Sequence, residues 1–245
     1  MIDTVTFDLW NTLLSNAPPD NQKYSLQRVE KLNSTLRENG REVEPDLLID
    51  AYHKAFEKCI EIWEKNQDIS TEEQIEIMFG FLGDDKLKNI PQDLMYRLVE
   101  VFVSPILDDP PSLIDGAKET LEGVKKKGYK IGLICNTGRT PGKTIRMLLE
   151  RLGIARFFNG TTFSDELKIR KPDSRIFLHT LALLKSRPQS SLHLGDLIDV
   201  DVLGAKNAGM ISAHFNPKQV PYEKVHPDFT IRRLMDLKRV LITLK

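Results

Sequence analysis

Asp8, Lys171, Asp196 and Asp201 are the residues of this chain whose types and settings suggest chemistry. Asp8 closes the short β-branched and apolar run Val5-Thr6-Phe7 and opens a turn that contains Asn11 and Thr12. Gly195-Asp196 follows the apolar run Leu192-His193-Leu194, and Asp201 stands five residues beyond Asp196 at the expected start of a helix. Lys171 lies in Arg170-Lys171-Pro172-Asp173, and Cys135-Asn136 ends the run Ile131-Gly132-Leu133-Ile134. Each segment ends an expected strand or begins the loop after one, and in a parallel sheet such ends converge on one crevice. Three carboxylates crowd a crevice only when a cation joins them. Hard oxygen donors with no Cys or His ligand among them select magnesium. A carboxylate nucleophile beside a metal and a lysine is suited to phosphoryl transfer, in which charge on the phosphate must be neutralised before attack.

The elements needed to position these residues follow from the pattern. Residues 1–14 and 110–245 read as alternating strands and helices, the signature of a parallel sheet covered on both faces. Strands are expected at 129–135, 160–163, 192–194, 210–214 and 229–231, and helices at 115–127, 143–152, 174–185, 199–208 and 232–242. Residues 15–109 read as helix only. Gly40 stops the first helix, Pro45 starts the second, Ser70 and Glu73 form a capping box, and Pro91 opens the fourth. The fold class is therefore α/β, a Rossmann-like doubly wound core with an inserted four-helix bundle whose aromatic and Met residues form its own core. The segment Ser15-Asn16-Ala17-Pro18-Pro19-Asp20 is expected to link the two parts as a hinge.

Bulk composition narrows the class. With 245 residues, 40% hydrophobic and 29% charged, the chain is globular. Lys plus Arg and Asp plus Glu are 35 each, so nothing favours nucleic acid or an anionic membrane as a partner. The run Lys125-Lys126-Lys127 reads as the basic last turn of a helix. Two cysteines form no disulfide framework and no zinc site. No basic leader precedes an apolar stretch, so the expected location is the cytoplasm. The five histidines show no metal-ligand spacing, and oligomeric state is left open by the sequence.

The ordered segments resemble the four motifs of the haloacid dehalogenase-like hydrolases. Phe7-Asp8-Leu9-Trp10-Asn11-Thr12-Leu13 is similar to motif I, Leu133-Ile134-Cys135-Asn136-Thr137 to motif II, Arg170-Lys171-Pro172-Asp173 to motif III, and Leu194-Gly195-Asp196 through Asp201 to motif IV. The resemblance implies a helical cap between motifs I and II, bound Mg2+, and phosphatase activity on a small phosphorylated metabolite through an aspartyl-phosphate. It makes Asp8 nucleophile and metal ligand, and the Trp10 backbone carbonyl, Asp196 and Asp201 further ligands. It makes Lys171 the bridge between Asp8 and the phosphate, with Cys135 and Asn136 contacting the phosphoryl group. Arg139, in the loop after Asn136, is a candidate substrate contact, since Arg binds phosphate or carboxylate bidentately.

Two positions depart from the family pattern. Cys135 stands where Ser or Thr is usual, and a thiol is a weak donor. Trp10 stands where a second Asp handles the proton, and indole neither gives nor takes it. General acid–base catalysis contributes about 10²–10⁴-fold, so a slow hydrolase or one selective for good leaving groups is expected. Rival readings are a non-catalytic or regulatory binder of a phosphorylated ligand, a 2-haloacid dehalogenase, and a phosphonatase using a cap lysine (Lys54, Lys58 or Lys65).

Overall fold

The computed structural model describes residues 1–15, 21–83 and 87–244. Residues 16–20, most of the expected hinge, lie outside that set. Six parallel strands form one sheet in the order β3-β2-β1-β4-β5-β6. They are β1 (Thr4–Phe7), β2 (Lys130–Cys135), β3 (Gly160–Phe163), β4 (Ser191–Gly195), β5 (Ile211–Phe215) and β6 (Phe229–Ile231). β1 is central, with Phe7 in register with Leu133 on one side and Leu194 on the other. All four β1 residues are buried, as a strand covered on both faces requires. The order reverses between β1 and β4, and open α/β sheets bind ligands at that switch point, beyond the carboxyl ends of the strands.

Between β1 and β2 run four main helices: α1 (Asn21–Glu38), α2 (Pro45–Trp63), α3 (Thr71–Leu82) and α4 (Gln92–Val103), then the single turn α5 (Pro105–Asp108). Local signals set their ends. Pro45 occupies the first turn of α2, the reciprocal Ser70–Glu73 capping box opens α3, and left-handed Gly83 closes it. Leu32, Leu36, Leu48, Ala55, Ile75, Met78, Leu98 and Phe102 build a cap core separate from that of the sheet. The expectation that all cap aromatics are core is corrected. Tyr24, Phe56 and Trp63 line a cavity against the Rossmann-like part. Helical periodicity marks apolar faces without saying which of two surfaces each one meets.

The remaining helices cover the sheet: α6 (Ala117–Lys126), α7 (Gly142–Arg151), α8 (Ser164–Leu167), α9 (Ser174–Leu183), α10 (Leu203–Asn207) and α11 (Leu237–Thr243). The helix expected over 199–208 is not plain α-helix. Residues Ile198–Val202 form a wider π turn, with the Val202 N–H donating to the Leu197 carbonyl at 3.3 Å. Within this turn the Asp201 side chain folds back to accept the Leu197 N–H at 3.0 Å. Such π turns occur frequently at functional sites. Among the described residues, no helix is long and apolar enough to cross a membrane.

Candidate active site

The turn after β1 places Asp8. Leu13 and Leu14 N–H groups both donate to the Leu9 carbonyl, and Asn11 takes a left-handed conformation (φ 57°), which Asn tolerates better than most residues. Asp8 is buried and sits at the switch point. Its backbone N–H extends the ladder to the Leu194 carbonyl at 2.8 Å. Lys171 reaches it from the loop before α9. The ammonium donates to Asp8 Oδ1 and to Asp201 Oδ1, each at 2.6 Å. That loop is held by Asn136, whose Oδ1 accepts the Lys171 N–H at 2.8 Å and whose Nδ2 donates to the Lys171 carbonyl at 3.0 Å. Two hydrogen bonds from one carboxamide fix the peptide that carries the Lys171 ammonium.

Asp196 completes the group, with carboxylate oxygens of Asp8, Asp196 and Asp201 all within 4.8 Å of one another. Thr12 Oγ1 stands 3.5 Å from Asp196 Oδ1. Gly195 is needed for steric reasons, because a Cβ there would overlap the Asp201 carboxylate.

The electrostatics show an excess of negative charge. Burial raises the Asp8 carboxyl to about 6, with Asp201 repulsion adding to it and Lys171 opposing. Burial, then repulsion from Asp8 and Asp201, raises Asp196 to about 7. Burial also opposes ionisation of Asp201, but Lys171 and His193 outweigh it and hold that carboxyl below the usual range. Burial works against the Lys171 charge, and Asp201 and Asp8 overcome it, so the ammonium persists. His193, its basicity lowered by burial, is a neutral imidazole. Three carboxylates thus face one ammonium. A hard divalent cation held by Asp8, Asp196 and Asp201 fits both the donor set and the charge deficit.

The histidines were given no role from sequence, yet two brace this site. His193 Nε2 lies 3.2 Å from Asp201 Oδ1, and Nδ1 lies 2.9 Å from Thr6 Oγ1. A carboxylate only accepts, so Nε2 carries the proton and Nδ1 accepts from Thr6. The strand period of two puts His193 on the face of Gly195, where Asp201 packs, and this was the available signal. His214 Nε2 stands 2.8 Å from the Asp196 carbonyl.

Three of the other expected site residues fall in different places. The Cys135 thiol is fully buried, in the sheet core, 3.5 Å from the Asn136 carbonyl, and burial keeps it protonated. Trp10 is half-buried and lines the cavity under the cap, as does Asn136. The Arg139 guanidinium packs on cap rings, 4.2 Å from the Tyr52 ring centre and 4.9 Å from that of Phe56. The cavity, about 600 Å³, also carries Tyr24, Arg28, Trp63 and Arg170. Among the cap lysines, Lys54 and Lys58 are exposed and paired with Asp50 and Glu61. None of the three cap candidates lines the cavity.

Asp68, in the α2–α3 connection, is a further residue without a local sequence signal. It is buried and accepts from Trp63 Nε1 (2.9 Å), the Ile69 N–H (2.8 Å), Thr137 Oγ1 (3.1 Å), Ser164 Oγ and Arg170 Nη1 (2.6 Å). Four of these five donors come from side chains, and three of those belong to the sheet domain. Arg170 immediately precedes Lys171, and its backbone N–H donates to the Asn66 carbonyl at 3.0 Å. The cap is therefore fastened to the segment that carries Lys171.

A parallel sheet in this order, an aspartate at its switch point and a helical cap inserted behind it define the architecture. The sequence profile of the haloacid dehalogenase-like hydrolases matches residues 2–209, and the chain belongs to that family. It is 38% identical over 109 residues to a glyceraldehyde 3-phosphate phosphatase of Methanothermobacter thermautotrophicus, spanning 44% of this chain and 46% of that protein. It is 35% identical over 118 residues to a phosphoglycolate phosphatase of Agrobacterium fabrum, spanning 47% and 49%. The matched region thus spans about half the length of these curated relatives. The structure of a 2-haloacid dehalogenase from Pseudomonas syringae superposes over 100% of both chains with a TM-score of 0.73 at 24% identity, a likeness of fold.

Proposed function

We propose that the protein is a magnesium-dependent phosphohydrolase acting on a small phosphorylated metabolite through an aspartyl-phosphate at Asp8, slow or selective for good leaving groups. The observation that carries this reading is the joint placement of Asp8, Asp196 and Asp201 around Lys171 at the switch point. Asp8 is the nucleophile, and its Oδ1 is oriented by the Lys171 ammonium. Lys171 also places positive charge beside the phosphoryl oxygens as the bond to the leaving group breaks. Asp201 holds Lys171 from the other side and is itself fixed by His193 and the Leu197 N–H. Asp8, the Trp10 carbonyl, Asp196 and Asp201 would hold the cation, which supplies charge neutralisation for the incoming phosphate. Asn136 keeps the Lys171 peptide in place, and its backbone, with that of Cys135, meets the phosphate. Relatives that are named phosphatases support the substrate class.

Trp10 sets the limit on rate. With no proton donor at that position, alkoxide leaving groups depart unprotonated, whereas acyl and aryl phosphates need no such help. Phosphate release from acetyl phosphate and p-nitrophenyl phosphate should exceed that from glycerol phosphate by about 10²–10⁴-fold. It should require magnesium and vanish in Asp8→Asn. Turnover that survives Asp8→Asn, or absence of release from every phosphate tested, would sink the proposal. A second reading, a phospho-ligand binder without turnover, draws on Trp10 itself. It predicts magnesium-dependent thermal stabilisation by beryllium trifluoride without phosphate release from any ester.

A further inference from the structure

Among the described residues, Arg28 and Arg139 are cations without a carboxylate partner. Arg28, on α1, is 5% exposed. Its Nε donates to the Phe102 carbonyl at 3.0 Å and its Nη1 to Tyr52 Oη at 3.4 Å. Arg139 reaches up from the loop after β2. One of its nitrogens, Nη2, donates to the Tyr52 carbonyl at 3.1 Å, while Nε and Nη1 are enclosed without any hydrogen-bond partner. Among the described residues neither guanidinium pairs with a carboxylate; burial lowers the basicity of Arg139, Tyr52 and Cys59 oppose this, and repulsion from Arg28 adds to it. Tyr52 lies between them. Although burial opposes its ionisation, the two arginines lower its phenol below the usual range.

Two cations enclosed in one wall, with two unmet donors on Arg139 and, among the described residues, no acid in the cavity lining, leave a deficit of negative charge that an anion relieves. Both arginines line the cavity that Trp10, two residues beyond Asp8, and Asn136, which holds the Lys171 peptide, also line, so the deficit lies in a space next to Asp8 and Lys171, which are not themselves among its lining residues. Its volume of about 600 Å³ is that of a small-molecule site. The rest of the lining mixes aromatic rings, among them Tyr24, Phe56 and Trp63, with aliphatic and neutral polar side chains such as Ile49 and Thr137, and Arg170 is already neutralised by Asp68.

We propose that Arg28 and Arg139, flanking Tyr52, form an anion subsite for a second negative group, a carboxylate or a phosphate, carried by the substrate at the end remote from the phosphoryl group attacked by Asp8. The proposal rests on the phosphohydrolase reading for the role of Asp8 and narrows the substrate to doubly anionic, short-chain phosphate esters. An ester with a neutral tail leaves both guanidiniums uncompensated and binds less well.

Binding tests this without turnover. Calorimetry on the Asp8→Asn protein with magnesium would compare 2-phosphoglycolate (carboxylate tail), propane-1,3-diol bisphosphate (phosphate tail) and 3-hydroxypropyl phosphate (neutral tail). At least one anionic-tail ligand should bind about 10–100-fold more tightly than the neutral one, the range expected of charge-assisted hydrogen bonds. The arm with the larger gain identifies the group. Arg139→Gln should remove most of the preference and Arg139→Lys should keep part of it, with Arg28→Gln acting in the same direction. If Arg28→Gln fails to fold, Arg139→Gln and the three-ligand comparison decide alone. Equal affinity for the three ligands, binding of none, or a preference that persists in Arg139→Gln overturns the subsite. Turnover of p-nitrophenyl phosphate reports on the phosphohydrolase reading separately. Turnover without tail discrimination refutes only the subsite, and discrimination without turnover refutes only the hydrolase.

Discussion

Replacing Asp68 by Ala should unfasten the cap from the segment that carries Lys171. The carboxylate is fully enclosed and faces five donors, one of them the Arg170 guanidinium at 2.6 Å, whose side chain is only 12% exposed. Removing one member of such a buried pair strands the other charge, which costs about 3–5 kcal/mol. The donors left on Trp63, Thr137 and Ser164 belong to the same network, so their losses overlap that figure and are not added to it. For a chain of this size each kcal/mol moves the melting temperature by about 2–4 °C, so a fall of roughly 6–20 °C is expected. Trp63 Nε1 bonds to Asp68 directly, and the chain has two tryptophans, so fluorescence in a Trp10→Phe background reports the junction itself. Urea denaturation followed by that signal and by circular dichroism separates loss of the junction from loss of the fold. The double variant Asp68→Ala/Arg170→Met removes both charges and should recover a substantial part of the loss. If Asp68→Ala unfolds within about 1 kcal/mol of the parent, or the double variant is no better than the single, the claim that this ion pair holds cap to core is wrong.

Four further outcomes follow from the site. Lys171→Met leaves Asp8 and Asp201 facing each other without their shared cation, so phosphate release should be lost and the melting temperature should fall; a variant with parental kinetics would remove Lys171 from the mechanism. Magnesium should raise the melting temperature, chelation should reverse this, and Asp196→Asn should weaken the shift; an unresponsive protein would argue against the cation site. Trp10→Asp should raise kcat on glycerol phosphate toward the rate on p-nitrophenyl phosphate, and no gain would show that proton transfer is not the limiting defect. Cys135→Ser should leave kcat unchanged, since the thiol lies in the sheet core and not on the open face of the crevice; a clear rise in kcat would restore it to the phosphate site.

What was legible in the sequence had local causes. Strand ends converge in a parallel sheet whatever the side chains, so the reading of Asp8 and Asp196 as neighbours needed only the strand positions, whereas Lys171, beyond the short helix α8, and Asp201, inside the π turn, are brought in by the loops that follow β3 and β4. Pro45 and the Ser70–Glu73 box mark helix starts by satisfying or dispensing with N–H groups in their own turn. Other features depend on which surfaces meet. The strand period places His193 on the face of Gly195, but its partner there is set only when Asp201 folds back over that glycine. Asp68 gains its five donors from chain separated from it by up to 102 residues. Tyr24, Phe56 and Trp63 share the spacing of true core residues, and only the docking of the cap turns them toward a cavity. The π turn at Ile198–Val202 departs from the helix expected there, and within it the Asp201 side chain folds back to accept the Leu197 N–H, which lacks an intrahelical partner.

Trp10 links the two halves of the functional argument. In the sequence it was a missing acid. In the structure it is also part of the cavity lining that Arg28, Tyr52 and Arg139 share. An indole at this position removes one carboxylate from a crevice in which three already face a single ammonium, so the site is less negative than one with a second aspartate. With the proposed subsite, a doubly anionic ester would meet less repulsion at its phosphoryl end, while its far end would meet Arg28 and Arg139. These conditions favour binding of an anion-rich substrate over protonation of its leaving group. Trp10→Asp should then move the two quantities in opposite directions, raising kcat on alkyl phosphates while raising KM for 2-phosphoglycolate. If KM for that ligand is unchanged or falls while kcat rises, charge balance in the cavity is not what the indole provides.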